Sequence, residues 1–345
     1  MGGMDGGLDR AMLAGSVAVL GAVAALVCAL AIAALHPLLV RYALARPNAR
    51  SSHVTPTPQG AGAAVVAVVA VFGLAASVVL GLPGERLTML FAAAVLLAAI
   101  GAADDIRPLP TLPRLAAQFM AVIAVVTTLP DGARVLPMLP ELAERALITV
   151  AGVWFVNLTN FMDGLDWMTV AEFVPVTAAL ALIGVVSATD PETTLVAALL
   201  CGALLGFAPF NKPVAKVFLG DVGSLPIGLI AGWCLLSLAA AGGLAAAILL
   251  PMYYLADATL TLLRRLARGE KVWEAHRTHF YQRATANGFS VRAVVGRVFV
   301  LNLVLAALAT LSLALPAPSL QAGLVAVGAV AVSAVLATFE RTNAA

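Results

Sequence analysis

AGAAVVAVVAVFGLAASVVLGL, residues 61 to 82, carries no charge and nothing more polar than one serine. A helix rises about 1.5 Å per residue and a bilayer's hydrocarbon core is about 30 Å thick, so a run of roughly 20 such residues crosses it. The run does not alternate apolar with polar residues, which argues for a helix and against a barrel strand. Its alanines, glycines and valines suit close helix contact in lipid, where no hydrophobic drive presses helices together. Working outward, comparable runs fall at 11–35, 87–103, 112–129, 143–160, 171–188, 192–209, 222–238, 240–263, 293–314 and 320–338. The whole chain of 345 residues is 62% hydrophobic and 11% charged, with a mean hydropathy of +1.01, outside the range of a soluble domain. The expected fold is an all-α integral membrane protein: one domain over 1–345, a polytopic bundle of about 11 transmembrane helices, with the active site at the cytoplasmic face.

Basic residues set the expected orientation, because cytoplasmic loops accumulate Lys and Arg. With the N-terminus outside and the C-terminus cytoplasmic, sixteen of the 20 Lys and Arg fall on the inner side, leaving Arg10, Arg86, Arg134 and Arg145 outside. The net charge of +2 is therefore an inside bias and no argument for nucleic acid. MGGMDGGLDR has one Arg against two Asp and a long apolar run after it, so cleavage as a signal peptide is not expected. Cys28, Cys201 and Cys234 lie in expected spans without metal-ligand spacing and read as buried thiols.

All the polar motifs land on the inner face. They are RPNARSSHVTPTPQGAG (46–62), DDIRPLPTLPR (104–114), NLTNFMDGLDW (157–167), NKPVAKVFLGDVGS (211–224) and HRTHFYQR (276–283), in loops at about 41–60, 104–114, 157–170, 210–224 and 264–292. The outer turns, such as LPGER and LPAPS, offer no converging chemistry. Asp104, Asp105, Asp163, Asp166 and Asp221 would repel one another unless a cation sat among them, and oxygen ligands without a Cys or His cage favour a hard ion such as Mg²⁺. Carboxylates and cations around a hard metal imply phosphate chemistry. Arg114, Lys212 and Lys216 are placed to bind an anionic substrate. Alone, an Asp–Asp pair at a helix end is solvated charge, and Asn160 or Asp163 could simply cap a helix. His276 and His279, three apart, could share a face of an ordinary loop helix. Asp257, an acid inside a span, is expected to pair with Arg264 or Arg265. Trp154, Trp233 and Trp273 read as interface or packing residues.

As an ordered set, DDI…R, NLTNFMDGLD, NKPVAKVFLGDVGS and HRTH resemble the polyprenyl-phosphate N-acetylhexosamine-1-phosphate transferase family, glycosyltransferase family 4, over about residues 41 to 283. RPNARSSH and HRTHFYQR are most similar to the O-antigen initiating branch. The resemblance implies a bacterial inner-membrane enzyme that uses Mg²⁺, with Mn²⁺ substituting. It would move a sugar 1-phosphate from a UDP-N-acetyl sugar to undecaprenyl phosphate and release UMP, with a second copy of the chain as a homodimer partner. By position it implies Asp221 as the chief metal ligand with Asn160 beside it, and Asp104 and Asp105 on the lipid phosphate and metal site. It also implies Arg114 on the pyrophosphate, Asp166 and Phe218 on uracil, and His276 and His279 over the nucleotide. Asp163 would shape the pocket, and Asn157 and Lys216 would bind substrate. Trp167 stands where a glycine often follows DGLD, Gln59 where a basic residue is frequent, and HRTH lacks the consecutive histidines of the muramoyl-pentapeptide branch. A secondary transporter is the rival class; it would carry midplane acids and repeated halves, whereas here the acids crowd one face and no repeat is visible.

Overall fold

The computed structural model describes residues 5–45, 56–130, 132–187, 190–271 and 276–342; RPNARSSHVT (46–55) and Trp273 lie outside them. The chain is a bundle of helices: α1 (Asp5–Tyr42), α2 (Gly62–Val79), α3 (Glu85–Ile106), α4 (Thr111–Val126), α5 (Glu141–Met162), α6 (Met168–Ser187), α7 (Pro191–Asn211) and α8 (Asp221–Leu238). After a π-turn at Ala239–Gly243 come α9 (Leu244–Leu249), α10 (Met252–Ala267), α11 (Phe280–Ala286), α12 (Val291–Ala314) and α13 (Pro318–Glu340). Among the described residues, 9 helical segments are long and apolar enough to cross a membrane. The expectation of about 11 differs in two places. The run at 112–129 forms α4, apolar but only 16 residues long. The run expected as one helix at 240–263 is divided into α9 and α10 at Pro251, whose missing N–H and ring interrupt the hydrogen-bond ladder.

Gly242 turns the chain at the end of α8. Its φ of 91° lies in the left-handed region that a glycine enters without a Cβ penalty. A continuous helix from Asp221 would carry Asp257 about 54 Å away. Yet Asp257 accepts the amide of Tyr281 at 3.1 Å, and the Tyr281 hydroxyl donates to the Phe161 carbonyl at 3.0 Å, one residue from Asn160, which binds Asp221 at 2.7 Å. The chain has therefore returned to the level of Asp221.

Two close backbone contacts fix where α8 begins. A Cβ on Gly62 of α2 would lie 2.2 Å from the Cα of Gly223, and one on Gly101 of α3 would lie 2.3 Å from the Asp221 carbonyl oxygen. Neither position tolerates a side chain, so α2 and α3 press directly on the first turn of α8. Next to them, β1 (Leu44–Ala45) pairs antiparallel with β2 (Thr57–Pro58), and Gln59 bridges in parallel to Phe218. This small ribbon stitches the chain after α1 to the segment entering α8.

The opposite end of the bundle is held by ions, contrary to the expectation that it has no converging groups. Arg86 on α3 pairs with Asp190 (2.5 Å) and Glu192 (3.3 Å) at the start of α7, donates to Ser237 (3.3 Å) and lies 5.3 Å over the ring of buried Trp233. Arg86 lies more than 100 residues from each of these partners, so no local sequence signal marks the cluster. Cys28 and Cys234 are buried as expected, and Cys201 is half-buried.

Candidate active site

Four helix ends meet at one level: the C-termini of α3 and α5 and the N-termini of α4 and α8. Helix α8 starts after Gly220, which has no side chain to cap it, yet its first amides are satisfied. Asp105 on α3 accepts the N–H of Asp221 at 3.0 Å and of Val222 at 3.1 Å, one with each oxygen. A carboxylate at a helix N-terminus gains from both the charged hydrogen bonds and the helix dipole. The Gln59 side-chain amide also donates to Asp105. Gln59, read in the sequence as a weakened phosphate contact, is thus part of the clamp on this aspartate.

Asp104 takes a different set of partners, the Leu109 amide at 2.6 Å and Arg114 at 2.6 Å. The same Arg114 nitrogen lies 4.0 Å from Asp221, so one guanidinium bridges two carboxylates. Asp221 accepts from the Asn160 amide at 2.7 Å, and that amide also reaches the Ser224 hydroxyl at 2.9 Å. Its side chain is 27% exposed. Asp104, Asp105, Arg114, Asn160 and Asp221 are therefore gathered as the sequence expected. Asp105 is committed to holding α8, and Asn160 orients Asp221 through its N–H₂.

Asp163 closes α5 and is hydrogen-bonded by the Thr169 hydroxyl. Burial, followed by the nearby charges of Asp221, Asp105 and Asp166, pushes its pKa up to about 7. Concentrated negative charge with little compensation is what a cation or a cationic clamp would relieve. Among the described residues no three His, Cys, Asp or Glu side chains form a ready metal cage. The oxygen-only donors around Asp221 still fit Mg²⁺, which keeps several waters and is held by one or two carboxylates together with substrate phosphates.

The segment 211–219 runs beside this cluster and is pinned by residues of the NLTNFMDGLDW motif. Buried Asp166 accepts the Ala215 amide at 3.0 Å. Buried Asn211 accepts the Trp167 amide at 2.7 Å and donates to the Val217 carbonyl at 3.1 Å. Trp167 has φ 65°, the left-handed region that favours glycine and costs other residues roughly 1–2 kcal/mol. The indole holds it there by donating to the Ala208 carbonyl at 2.6 Å. That explains the departure at this position: glycine would adopt the conformation freely, and the tryptophan adopts it against the end of α7. Phe218 is half-buried; its amide meets the Pro58 carbonyl at 2.8 Å, and its own carbonyl receives Gly60 and Ala61 at 3.1 Å each. Lys216 is exposed on the same segment.

Two expectations are corrected. Asn157 does not join the cluster: one turn deeper in α5, its amide donates to Gln118 on α4 at 2.6 Å and to the Val153 carbonyl at 2.8 Å. Asp257 does not pair with Arg264 or Arg265, which engage Glu340 and Glu270 instead. Fully buried, it accepts from the amides of Phe280 (3.0 Å) and Tyr281 (3.1 Å) and the Tyr253 hydroxyl (3.1 Å), and meets the His279 ring at 3.2 Å. His279 is consequently buried, while half-buried His276 stacks 4.8 Å from it and touches the Thr278 hydroxyl at 2.9 Å. The loop is docked on the end of α5 by Tyr281, and Gly164 makes room: a Cβ there would lie 2.1 Å from the tyrosine oxygen.

Glu172 and Asn302 went unread in the sequence. Glu172, fully buried on α6, accepts from Asn302 on α12 at 2.7 Å through one oxygen, while its other oxygen is buried with no hydrogen-bond partner among the described residues. The signal was available: an acid in the second turn of α6, inside the apolar run expected at 171–188, where ionisable groups are costly.

Comparison with known proteins agrees with this geometry. A family model described as glycosyl transferase family 4 matches residues 87–239, from α3 through α8. Decaprenyl-phosphate N-acetylglucosaminephosphotransferase of Mycolicibacterium smegmatis is 28% identical over 322 residues, 81% of this chain and 78% of the relative. The protein of that name from Mycobacterium leprae is 27% identical, covering 73% and 72%. A phospho-N-acetylmuramoyl-pentapeptide-transferase of Wolbachia pipientis is 40% identical over 76 residues, 22% of this chain and 23% of the relative. With most of the motif cluster inside the matched region, the chain resembles glycosyl transferase family 4 from α3 through α8, and over most of its length it is similar to relatives named as decaprenyl-phosphate N-acetylglucosaminephosphotransferases.

Proposed function

We propose that this phosphotransferase moves an N-acetylhexosamine 1-phosphate from a UDP-sugar to a polyprenyl phosphate and releases UMP, forming the lipid-linked first sugar of a cell-surface polysaccharide. The observation that carries the reading is Asp221, half-open at a helix N-terminus and flanked by Asn160, Arg114 and the Asp105 clamp. The relatives' names favour N-acetylglucosamine as the sugar and a decaprenyl chain beside the undecaprenyl one expected from the motifs.

Mg²⁺, held by Asp221 and substrate oxygens, would supply neutralisation of the phosphoryl charge. The chain's own residues would do the rest. An acceptor phosphate monoester has a second pKa near 6 and is largely dianionic at neutral pH, so no strong base is required. One of its oxygens attacks the sugar-bearing phosphorus; the bond from that phosphorus to the bridging oxygen breaks, and UMP departs with the oxygen. Arg114, already set between Asp104 and Asp221, is positioned to take the developing charge. Asp166 acts on the donor pocket by fixing the segment that carries Lys216 and Phe218. His276 is offered toward the nucleotide by His279, which Asp257 holds. A covalent phosphoryl-aspartate on Asp104 or Asp105 is disfavoured, because both carboxylates are engaged by amides and, at Asp104, by Arg114.

The test is direct. Purified protein in detergent with Mg²⁺, decaprenyl or undecaprenyl phosphate and a panel of UDP-N-acetyl sugars should yield a lipid heavier by one sugar phosphate, with UMP in equal amount. No product from any pair would refute the reading. We further propose an inner-membrane location with the site on the cytoplasmic face.

A further inference from the structure

Between α12 and α13 runs a groove of about 650 Å³, away from the carboxylate cluster. Its α12 wall repeats every four residues through Arg292, Gly296, Val300 and Val304, and Val335 faces it from α13. A Cβ on Gly296 would meet nothing within 4 Å, and Val300 and Val304 are exposed, so the trough is open. Both basic groups, Arg292 and Arg297, sit at the end where α12 begins. The wall from Arg292 to Val304 is about 18 Å long. That matches one leaflet, about half of a 30 Å hydrocarbon core.

We propose that this groove seats an anionic phospholipid of the leaflet on the site side, its phosphate on Arg292 and Arg297 and one acyl chain along the valines. The two arginines are fixed and only partly spent. Arg292 donates to the Pro213 carbonyl at 3.1 Å; Arg297 donates to the Ala293 carbonyl at 3.0 Å and lies 5.0 Å over Phe289. Each guanidinium has five N–H groups, so most remain for a phosphate. The acid at the end of α13, Glu340, is engaged by Arg264 and Arg283 and does not neutralise the groove. A helix of a second copy would need a trough through both leaflets, whereas charge at one end and apolar wall for one leaflet fit a single amphiphile. Through Arg292 the lipid would also steady Pro213, in the segment that Asp166 pins beside the site.

The test uses the full chain in phosphatidylcholine vesicles holding, as a minor component, phosphatidylglycerol with a photoreactive acyl chain, or the same probe on phosphatidylcholine. Peptides of α12 and α13 should be labelled at least about tenfold more by the anionic probe, as two arginines near the surface warrant. Arg292→Gln with Arg297→Gln should remove the preference, and the corresponding lysine pair should keep most of it. Val300→Trp, which fills the trough without touching its charge, should block labelling even if the glutamine pair fails to fold. Equal labelling by both probes, or labelling unchanged by these variants, would overturn the proposal. So would displacement by soluble glycerol phosphate, which marks a headgroup-only site, or by stoichiometric decaprenyl phosphate, which marks an acceptor seat. Loss of labelling on disulfide dimerisation of Gly296→Cys would assign the groove to a second copy instead.

Discussion

Replacing Asp105 by asparagine separates two roles that the sequence left joined. The sequence placed this residue on the lipid phosphate and metal site; the structure makes it the cap of α8, each carboxylate oxygen holding one amide. Asparagine keeps one oxygen, so at most one amide stays satisfied while the other faces an N–H₂. A lost charge-assisted hydrogen bond costs about 1.5–3 kcal/mol, and a lost N-cap about 0.5–2 kcal/mol. A single release of about 2 kcal/mol at the turn carrying Asp221 therefore lowers the turnover number by roughly thirtyfold if the displaced carboxylate is the main casualty. The same release lowers thermal stability, because the first turn of α8 touches α2 and α3 through Gly62 and Gly101.

The assay is turnover and thermal midpoint on the same preparations, across a Mg²⁺ titration. Capping predicts that both fall together, and that Gln59→Ala, which removes another donor to Asp105, gives a weaker version of both. Were Asp105 a proton acceptor in the chemical step, asparagine would cost about 10²–10⁴ in turnover with stability untouched. An unchanged midpoint with turnover lost would refute the capping argument.

Gly164→Ala should cost about 1–3 kcal/mol and free the α11 loop to proteolysis, because its Cβ overlaps the Tyr281 hydroxyl, and adding Tyr281→Phe should restore part of the loss; a protected loop in the single variant would count against that docking. Asp163 has its pKa raised from 3.8 to about 7, so the metal-free folded protein holds a proton there that the unfolded chain releases above about pH 4. Its contribution is full below pH 4 and is lost as pH rises to about 7, by no more than about 4 kcal/mol, and Asp163→Asn should flatten the melting profile across that window. Trp167→Gly should relieve backbone strain yet lose the indole bond to Ala208, so segment 211–219 should exchange amide hydrogen faster while the midpoint moves little. Cysteines at Gly60 and Gly269 should react with impermeant thiol reagents from the cytoplasm alone and one at Gly132 from outside alone; the reverse pattern would place the site on the other face.

The spans were legible because a bilayer makes long apolar runs necessary, and α2, α5, α7, α12 and α13 lie close to where hydropathy set them. The candidate site residues were legible as a set because acids are costly near lipid and stand out against apolar spans. Partners were not legible. Asn157 looked equivalent to Asn160, three residues on, but a helix turns about 300° over three residues, enough to send one amide to Gln118 and the other to Asp221. Asp257 was matched to Arg264 and Arg265 by spacing along one helix, whereas its partners arrive from a loop more than 20 residues later.

The roles of Asp105 and Asp257 were missed for one physical cause. Two helices begin where the chain breaks at the edge of the bundle with first amides that no neighbouring side chain meets: Gly220, before α8, has no side chain, and the His279–Gln282 capping box at α11 leaves the amides of Phe280 and Tyr281 to be held from elsewhere. Hydrocarbon offers no water to the orphan amides of a helix start, so each needs a partner from elsewhere. In both cases that partner is a carboxylate from another helix: Asp105 of α3 for α8 and Asp257 of α10 for α11. A capping rule that searches within a few residues of the helix start sees neither of them. It follows that an acid buried in this bundle is not thereby a catalytic one. What separates Asp221 from Asp105 and Asp257 is that its own oxygens meet side chains and solvent, while each of theirs holds a backbone amide at the start of a neighbouring helix.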